Sequence, residues 1–250
     1  MSVSAAAYAE ATQTVIDRVV TNTGSEVAAA AGIIADALRA GGVLQAFGTG
    51  HSEALAMELV GRAGGLVPTN KISLRDVVLF GDAPREVLHN EKLERDPDIA
   101  HRLYALAAPS PQDVFVVASN SGINGCIVEF ALLVKEHGHQ LIAITSAAHT
   151  ARVTPRHPSG RRLAEIADVV LDNGAPYGDA LLSLSSGGAV CPVSSVTNAL
   201  LAQLLVAEVV RRIEAAGEVA PIYRSASVPG ADEHNTTLES RYAGRIRRTA

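Results

Sequence analysis

Three times in this chain a short apolar run gives way at once to small, hydroxyl-bearing residues, and that pattern restricts the fold more than any other feature. Val43–Phe47 leads into Gly48-Thr49-Gly50-His51-Ser52 and then a helical pattern from Glu53 to about Ala63. Asp113–Ala118 leads into Ser119-Asn120-Ser121-Gly122 and a helix from about Asn124 to His137, and Gln140–Ile144 runs into Thr145-Ser146. A shorter run, Ala167–Leu171, follows later. Near-continuous Val/Ile/Leu strands separated by helices predict a parallel sheet covered on both faces. The expected fold is therefore α/β, a three-layer αβα sandwich.

The flanking segments fit that frame. Val15, Ile16, Val19 and Val20, then Val27, Ile33, Ile34, Ala37 and Leu38, recur at helical spacing, and Gly41-Gly42 stops the second helix. A long helix is expected from about Ser195 to Ala216, whereas Asn70–Asp98 is polar and weakly periodic, as loop with short helices would be. One domain over residues 1–250 is expected, with N-terminal helices at 1–41, a core at 42–216 and a tail at 217–250. Composition narrows the class further. With 48% hydrophobic residues the chain has ample material for a core, and its net charge of −5 offers no footprint for nucleic acid or an anionic membrane surface. The greasiest stretch, Ala199–Val210, is shorter than the ~20 residues a membrane span needs and contains Gln203 and Glu208. Cys126 and Cys191 suit no disulfide framework. Without a basic, then apolar leader at Met1–Ala7, a cytoplasmic location is expected.

In open parallel sheets, ligands bind at the carboxyl ends of the strands. Both hydroxyl-rich loops belong there. Ser119, Asn120, Ser121 and Asn124 stand at a helix start, where free N–H groups favour an anion, although Ser and Asn are also ordinary capping residues. Thr49, His51 and Ser52 lie in a loop that lacks the lysine of a P-loop and has Glu53 in the third glycine position of a dinucleotide fingerprint. Its small residues would let sugar hydroxyls approach the backbone, or it is a plain strand-to-helix turn.

Taken together, the two loops resemble those of the sugar isomerase (SIS) domain family, over about Gly42 to Ala216. The resemblance implies a flavodoxin-like parallel sheet, a phosphorylated sugar as ligand, Ser119–Asn124 as phosphate loop, and a homodimer or homotetramer with sites at subunit interfaces. Arg62-Ala63-Gly64-Gly65-Leu66, Asp172-Asn173-Gly174-Ala175 and the tail Ser225–Asn235 are similar to a bacterial branch of that family. Glu58-Leu59-Val60-Gly61-Arg62 also resembles a stretch of phosphoheptose isomerases in which the glutamate is an active-site residue. Those enzymes bind a metal through histidines. Here Ala54 stands where one is needed, so no metal or other cofactor is expected.

Sugar-phosphate chemistry of this kind begins with removal of the proton at C2, which needs a carboxylate or imidazole in reach. Glu58 is the leading base: it follows His51 by seven residues, on one helical face, with Arg62 four residues further to hold it. The alternative is a surface ion pair. Resemblance to N-acetylmuramic acid 6-phosphate etherases, which use two glutamates, implies Glu94 as the acid, with Glu91 its rival and a solvated charged helix the plain alternative. Resemblance to isomerases that open the sugar ring with a neighbouring subunit's histidine implies the same of His234. His137 and His139 suggest a helix-end cap, and Arg241, Arg245, Arg247 and Arg248 a balance for a terminal helix dipole or a partner contact. Two glutamates without metal ligands favour a lyase: C2 deprotonation and elimination at C3 of an amino-sugar 6-phosphate, N-acetylglucosamine 6-phosphate for preference. The alternatives are an aldose–ketose isomerase and a sugar-phosphate sensor that binds without reacting.

Overall fold

Alternate residues along each central strand face opposite ways, and in this chain both sets are apolar, so the sheet has to be covered twice. The computed structural model describes residues 3–248 and shows both covers. Its helices are α1 (Ala5–Asn22), α2 (Gly24–Arg39), α3 (Glu53–Leu59), α4 (Asp76–Leu79), α5 (Asp98–Ala107), α6 (Gly125–Glu136), α7 (Ala147–Thr150), α8 (Ser194–Ala215) and α9 (Ala231–Ser240). Its strands are β1 (Leu44–Gly48), β2 (Thr69–Ile72), β3 (Val114–Ala118), β4 (Gln140–Thr145), β5 (Val169–Asp172), β6 (Ala180–Ser183) and β7 (Ala189–Pro192). The first five form one parallel sheet in the order β2-β1-β3-β4-β5, and β6 pairs antiparallel with β7. This is the expected flavodoxin-like three-layer sandwich.

Leu44, Ala46, Val114, Val116, Ala118, Ile142 and Ile144 face α1, α2, α3 and α8, where they meet Val19, Ile34, Leu55, Leu201 and Leu205. The other face carries Phe47, Phe115, Val117, Leu141 and Ala143 against Ile99 and Leu103 of α5 and Ile127, Phe130 and Val134 of α6. Each buried Val, Leu, Ile or Phe side chain contributes about 1.5–3 kcal/mol by leaving water, so the layers are held by bulk burial on both sides. Among the described residues no helix is long and apolar enough to cross a membrane.

Polar groups close the amino end of the sheet. The buried Asp113 carboxylate accepts from Val43 N–H (2.9 Å), the Gln45 amide (2.9 Å) and Arg245 Nη2 (2.6 Å). Beside it, His139 donates from Nδ1 to the Asp113 carbonyl (3.1 Å) and accepts at Nε2 from the Tyr104 hydroxyl (2.9 Å). Burial holds this imidazole below its ordinary value. Only His137, bonded to the Leu133 carbonyl, is the helix-end cap that the sequence suggested for both.

Several expectations need correction. The helix after the first loop ends at Leu59, not near Ala63, because Gly61 takes a positive φ of 69° and turns the chain. A fifth strand, β2, lies at the start of the polar stretch, and residues 180–192 form a hairpin. The tail contains α9, with Arg241 at its C-terminal cap, but the other three arginines do not serve a helix dipole. Arg245 reaches Asp113, Arg247 the Leu106 carbonyl, and Arg248 the carbonyls of Val67 (2.6 Å) and Thr69 (2.8 Å). The tail thus straps the outer edge beside β2, satisfying carbonyls that an edge leaves open.

One contact positions the site. A Cβ on Gly125, the first residue of α6, would lie 2.2 Å from the Arg95 carbonyl oxygen. The glycine lets the 3-10 turn Leu93–Arg95 sit directly on the helix start. Gly125→Ala is expected to cost about 1–3 kcal/mol by overpacking a backbone contact. Urea unfolding measures it, and an unchanged midpoint would show that the contact yields freely.

Candidate functional site

Both loops leave the carboxyl ends of adjacent strands, β1 and β3. At the first, a Cβ on Gly48 would fall 2.4 Å from the Ser52 carbonyl, so glycine is what permits the tight return. Thr49 follows, buried and extended, and Gly50–Ser52 make one 3-10 turn before α3. The Thr49 hydroxyl donates to Glu94 Oε2 at 2.9 Å.

At the second loop, Gly122 adopts a φ of 65°, and its N–H donates to Ser119 Oγ at 3.1 Å. The Ser121 carbonyl accepts from the Thr150 hydroxyl at 3.0 Å, while its own half-buried hydroxyl has no hydrogen-bond partner among the described residues. Asn120 Oδ1 accepts from Asn173 Nδ2 (3.1 Å), which also bonds Asn198 Oδ1 (3.0 Å). Asn124 occupies the cap position of α6, yet its amide does not cap the helix. Nδ2 donates to Glu94 Oε1 at 2.8 Å, and Oδ1 accepts from Arg156 Nη1 at 3.0 Å. The first turn of α6 itself holds no acidic residue, and its free N–H groups and positive dipole end face the loop, with the Glu94 carboxylate alongside at Asn124.

Glu94 therefore joins the two loops, one carboxylate oxygen to each. The charged helix considered from sequence is a 3-10 turn, and its glutamate is half-buried against polar partners. Glu91 is exposed. Glu58 lies near the far end of α3, where its carboxylate accepts from Arg62 and from Gln203 Nε2 of α8 (2.7 Å). The Glu58–Arg62 pair forms as expected, but Arg62 stands beyond the helix end. His51 and Ser52 sit in the 3-10 turn rather than on α3, so the shared helical face with Glu58 is not formed. His51 is exposed, and neither side chain has a hydrogen bond among the described residues. His234 lies on α9 and donates from Nε2 to the Ile222 carbonyl at 3.0 Å, away from both loops' hydrogen bonds.

Arg156, Gln203, Asn173 and Asn198 were not identified from the sequence as site neighbours. Asn173 had one available signal, its place just after β5 at the carboxyl edge of the sheet. Cys126 lies under the second loop, but burial pushes its thiol up to about 12, so it is no nucleophile. Among the described residues no three His, Cys, Asp or Glu side chains converge as ligands. With Ala54 in place of a histidine, the donor set does not fit the metal of phosphoheptose isomerases.

Comparison with known proteins bears on the family and the fold. The model of the SIS domain matches residues 7–146, more than half of the chain and both loops. A UPF0309 protein of Listeria monocytogenes is 39% identical over 87% of this chain and 88% of its own length. Among solved structures, the fold is similar to the phosphoheptose isomerases of Neisseria gonorrhoeae (TM-score 0.54, 19% identity, 82% of this chain and 95% of that one) and Francisella tularensis (0.55, 17%, 81% and 94%). At such identities these two likenesses concern the fold alone. On the domain match and on its likeness to the UPF0309 protein, the chain belongs to the SIS domain family, as its two loops had suggested.

Proposed function

We propose that this protein binds a phosphorylated sugar and acts on it as a lyase of the dehydratase type, with an amino-sugar 6-phosphate such as N-acetylglucosamine 6-phosphate as substrate. The observation that carries this reading is Glu94, held by Thr49 on one loop and Asn124 on the other. The position of this glutamate between the two loops supports a role in proton transfer, because a ligand bridging both loops would lie within its reach. Thr49 and Ser52 would receive sugar hydroxyls, with His51 beside them, and Ser119, Asn120, Ser121 and Asn124 the phosphate.

In this reading Glu58, an acceptor already oriented by Arg62 and Gln203, takes the proton from C2 of the opened sugar. The electron pair forms a double bond to C3. The C3–O bond breaks, and the oxygen leaves as water with a proton from Glu94, which enters this step as the neutral acid. An N-acetyl group at C2 prevents conversion to a simple ketose, which is why such a substrate favours elimination. One observation favours a second reading. Both Glu94 oxygens accept hydrogen bonds, the posture of a base, so Glu94 alone would carry a proton from C2 to C1 in an aldose–ketose isomerase.

Assembly belongs to the same proposal. His234 is held to the tail of its own chain, so a role at the sugar ring requires a homodimer or homotetramer that brings it to a neighbour's site. Light scattering is expected to give at least a dimer; a fully active monomer would remove His234 from the mechanism.

Proton NMR in D2O with a panel of hexose, hexosamine and N-acetylhexosamine 6-phosphates tests the chemistry. The lyase gives a new alkene signal. Glu58→Gln should lower turnover by roughly 10²–10⁴-fold, the usual worth of a general base. Glu94→Gln should keep C2 deuterium exchange while slowing loss of the C3 group. Loss of exchange in Glu94→Gln, with Glu58→Gln unaffected, would instead establish the isomerase. No exchange and no product with any sugar would leave only a binding protein.

A further inference from the structure

Arg156 approaches the second loop from a segment that belongs to neither strand–loop unit. It lies in Thr154-Pro155-Arg156-His157-Pro158, between two prolines that fix their own φ angles and stiffen the backbone around it. The segment is also fastened from below. The His157 ring, 7% exposed, meets Glu129 of α6 at 2.7 Å through Nε2 and the Ser159 hydroxyl at 2.8 Å through Nδ1. The other Glu129 oxygen takes His101 Nε2 at 2.9 Å, and further along Leu163 N–H donates to the Gly122 carbonyl at 2.9 Å. Arg156 is thus presented by an anchored strip of chain.

Its guanidinium is nearly unspent. Of five N–H donors, one serves Asn124 Oδ1, and among the described residues no carboxylate lies within ion-pair distance of it. Arg156 is exposed, and it is the one cationic side chain hydrogen-bonded to the Ser119–Asn124 loop among the described residues. Asn124 separates two opposite charges. Its carbonyl oxygen faces the Arg156 cation, and its NH2 faces the Glu94 carboxylate.

Resting on the sugar-phosphate reading above, we infer that Arg156 binds the phosphate group of the substrate and, opposite Glu94, fixes which end of the sugar enters the site. A guanidinium presents paired donors that match two phosphate oxygens, whereas Glu94 meets the loops as an acceptor and has no positive charge to offer the dianion. The sugar carbons are thereby directed to Glu94 and the phosphate to Arg156. The loop hydroxyls and the α6 N–H groups would bind phosphate without adding a full charge, so Arg156 supplies the formal positive charge that favours a dianion over a neutral sugar.

The test is calorimetric titration of wild type, Arg156→Ala and Arg156→Lys with N-acetylglucosamine, N-acetylglucosamine 6-phosphate and inorganic phosphate, at two salt concentrations. Wild type should favour the two phosphate-bearing probes, less so at high salt, where the charge is screened. Arg156→Ala should lose tenfold or more of that affinity and most of its salt dependence, with N-acetylglucosamine binding and melting temperature unchanged. Arg156→Lys should recover part of the loss. If wild type favours phosphate and Arg156→Ala does so equally, Arg156 has no such role while the sugar-phosphate reading stands. If Arg156→Ala weakens phosphorylated and plain sugars alike, the residue only props Asn124, and the inference fails. If wild type shows no preference for the phosphate-bearing probes, both readings fall together.

Discussion

The hydrogen bonds from Thr49 and Asn124 to the two oxygens of Glu94 are the constraint on which the arrangement of this site depends. The loops themselves come from β1 and β3, and their hydroxyls face the same end of the sheet. Without a group between them they would be two separate helix starts. Glu94 turns them into one polar surface with a carboxylate at its centre. The connection is carried by a 3-10 turn with little regular structure around it, so it needs close support. Gly125 supplies that, admitting the Arg95 carbonyl to a distance that no other residue type tolerates.

Rigidity behind the loops comes from the two-sided sheet. Phe47, Phe115 and Phe130 pack as tilted and edge-on pairs, with centroids at 4.7 Å (Phe47–Phe130) and 5.8 Å (Phe115–Phe130). They tie β1, β3 and α6 together on one face of the sheet. At the amino end of the sheet, Asp113 gathers backbone, amide and guanidinium donors and fixes where β1 and β3 begin. The strands are therefore held on that face and at their starts, and loop positions follow from strand positions. Catalytic and binding groups on such loops inherit the precision of the scaffold.

The sheet's central strands were legible because burial on both faces leaves continuous Val/Ile/Leu runs. The β2 edge strand was not, since Thr69-Asn70-Lys71-Ile72 is mostly polar and gains its stability from the tail arginines, contacts about 175 residues away in sequence (Asn70 to Arg245, for example). The hairpin of β6 and β7 lacks a strong alternating pattern because little of it is buried. In the site, glycines and hydroxyls announced the two loops, because tight strand-to-helix returns leave a composition that can be read locally. Glu94 was a candidate only through resemblance to two-glutamate enzymes, and only the fold shows what it touches. Helical spacing misplaced His51 relative to Glu58, since a 3-10 turn intervenes. Arg156 was missed altogether: a lone arginine between prolines has no periodicity, and its meaning comes from Asn124, more than thirty residues earlier.

A crystal structure with bound N-acetylglucosamine 6-phosphate tests the central claim most directly, that one site spans both loops around Glu94. The account predicts the phosphate against Ser119, Ser121 and Arg156, with the sugar carbons lying toward Thr49 and Glu94. A ligand in the opposite sense, with its phosphate beside Glu94, or one that leaves the Thr49–Glu94–Asn124 surface uncovered, would contradict it.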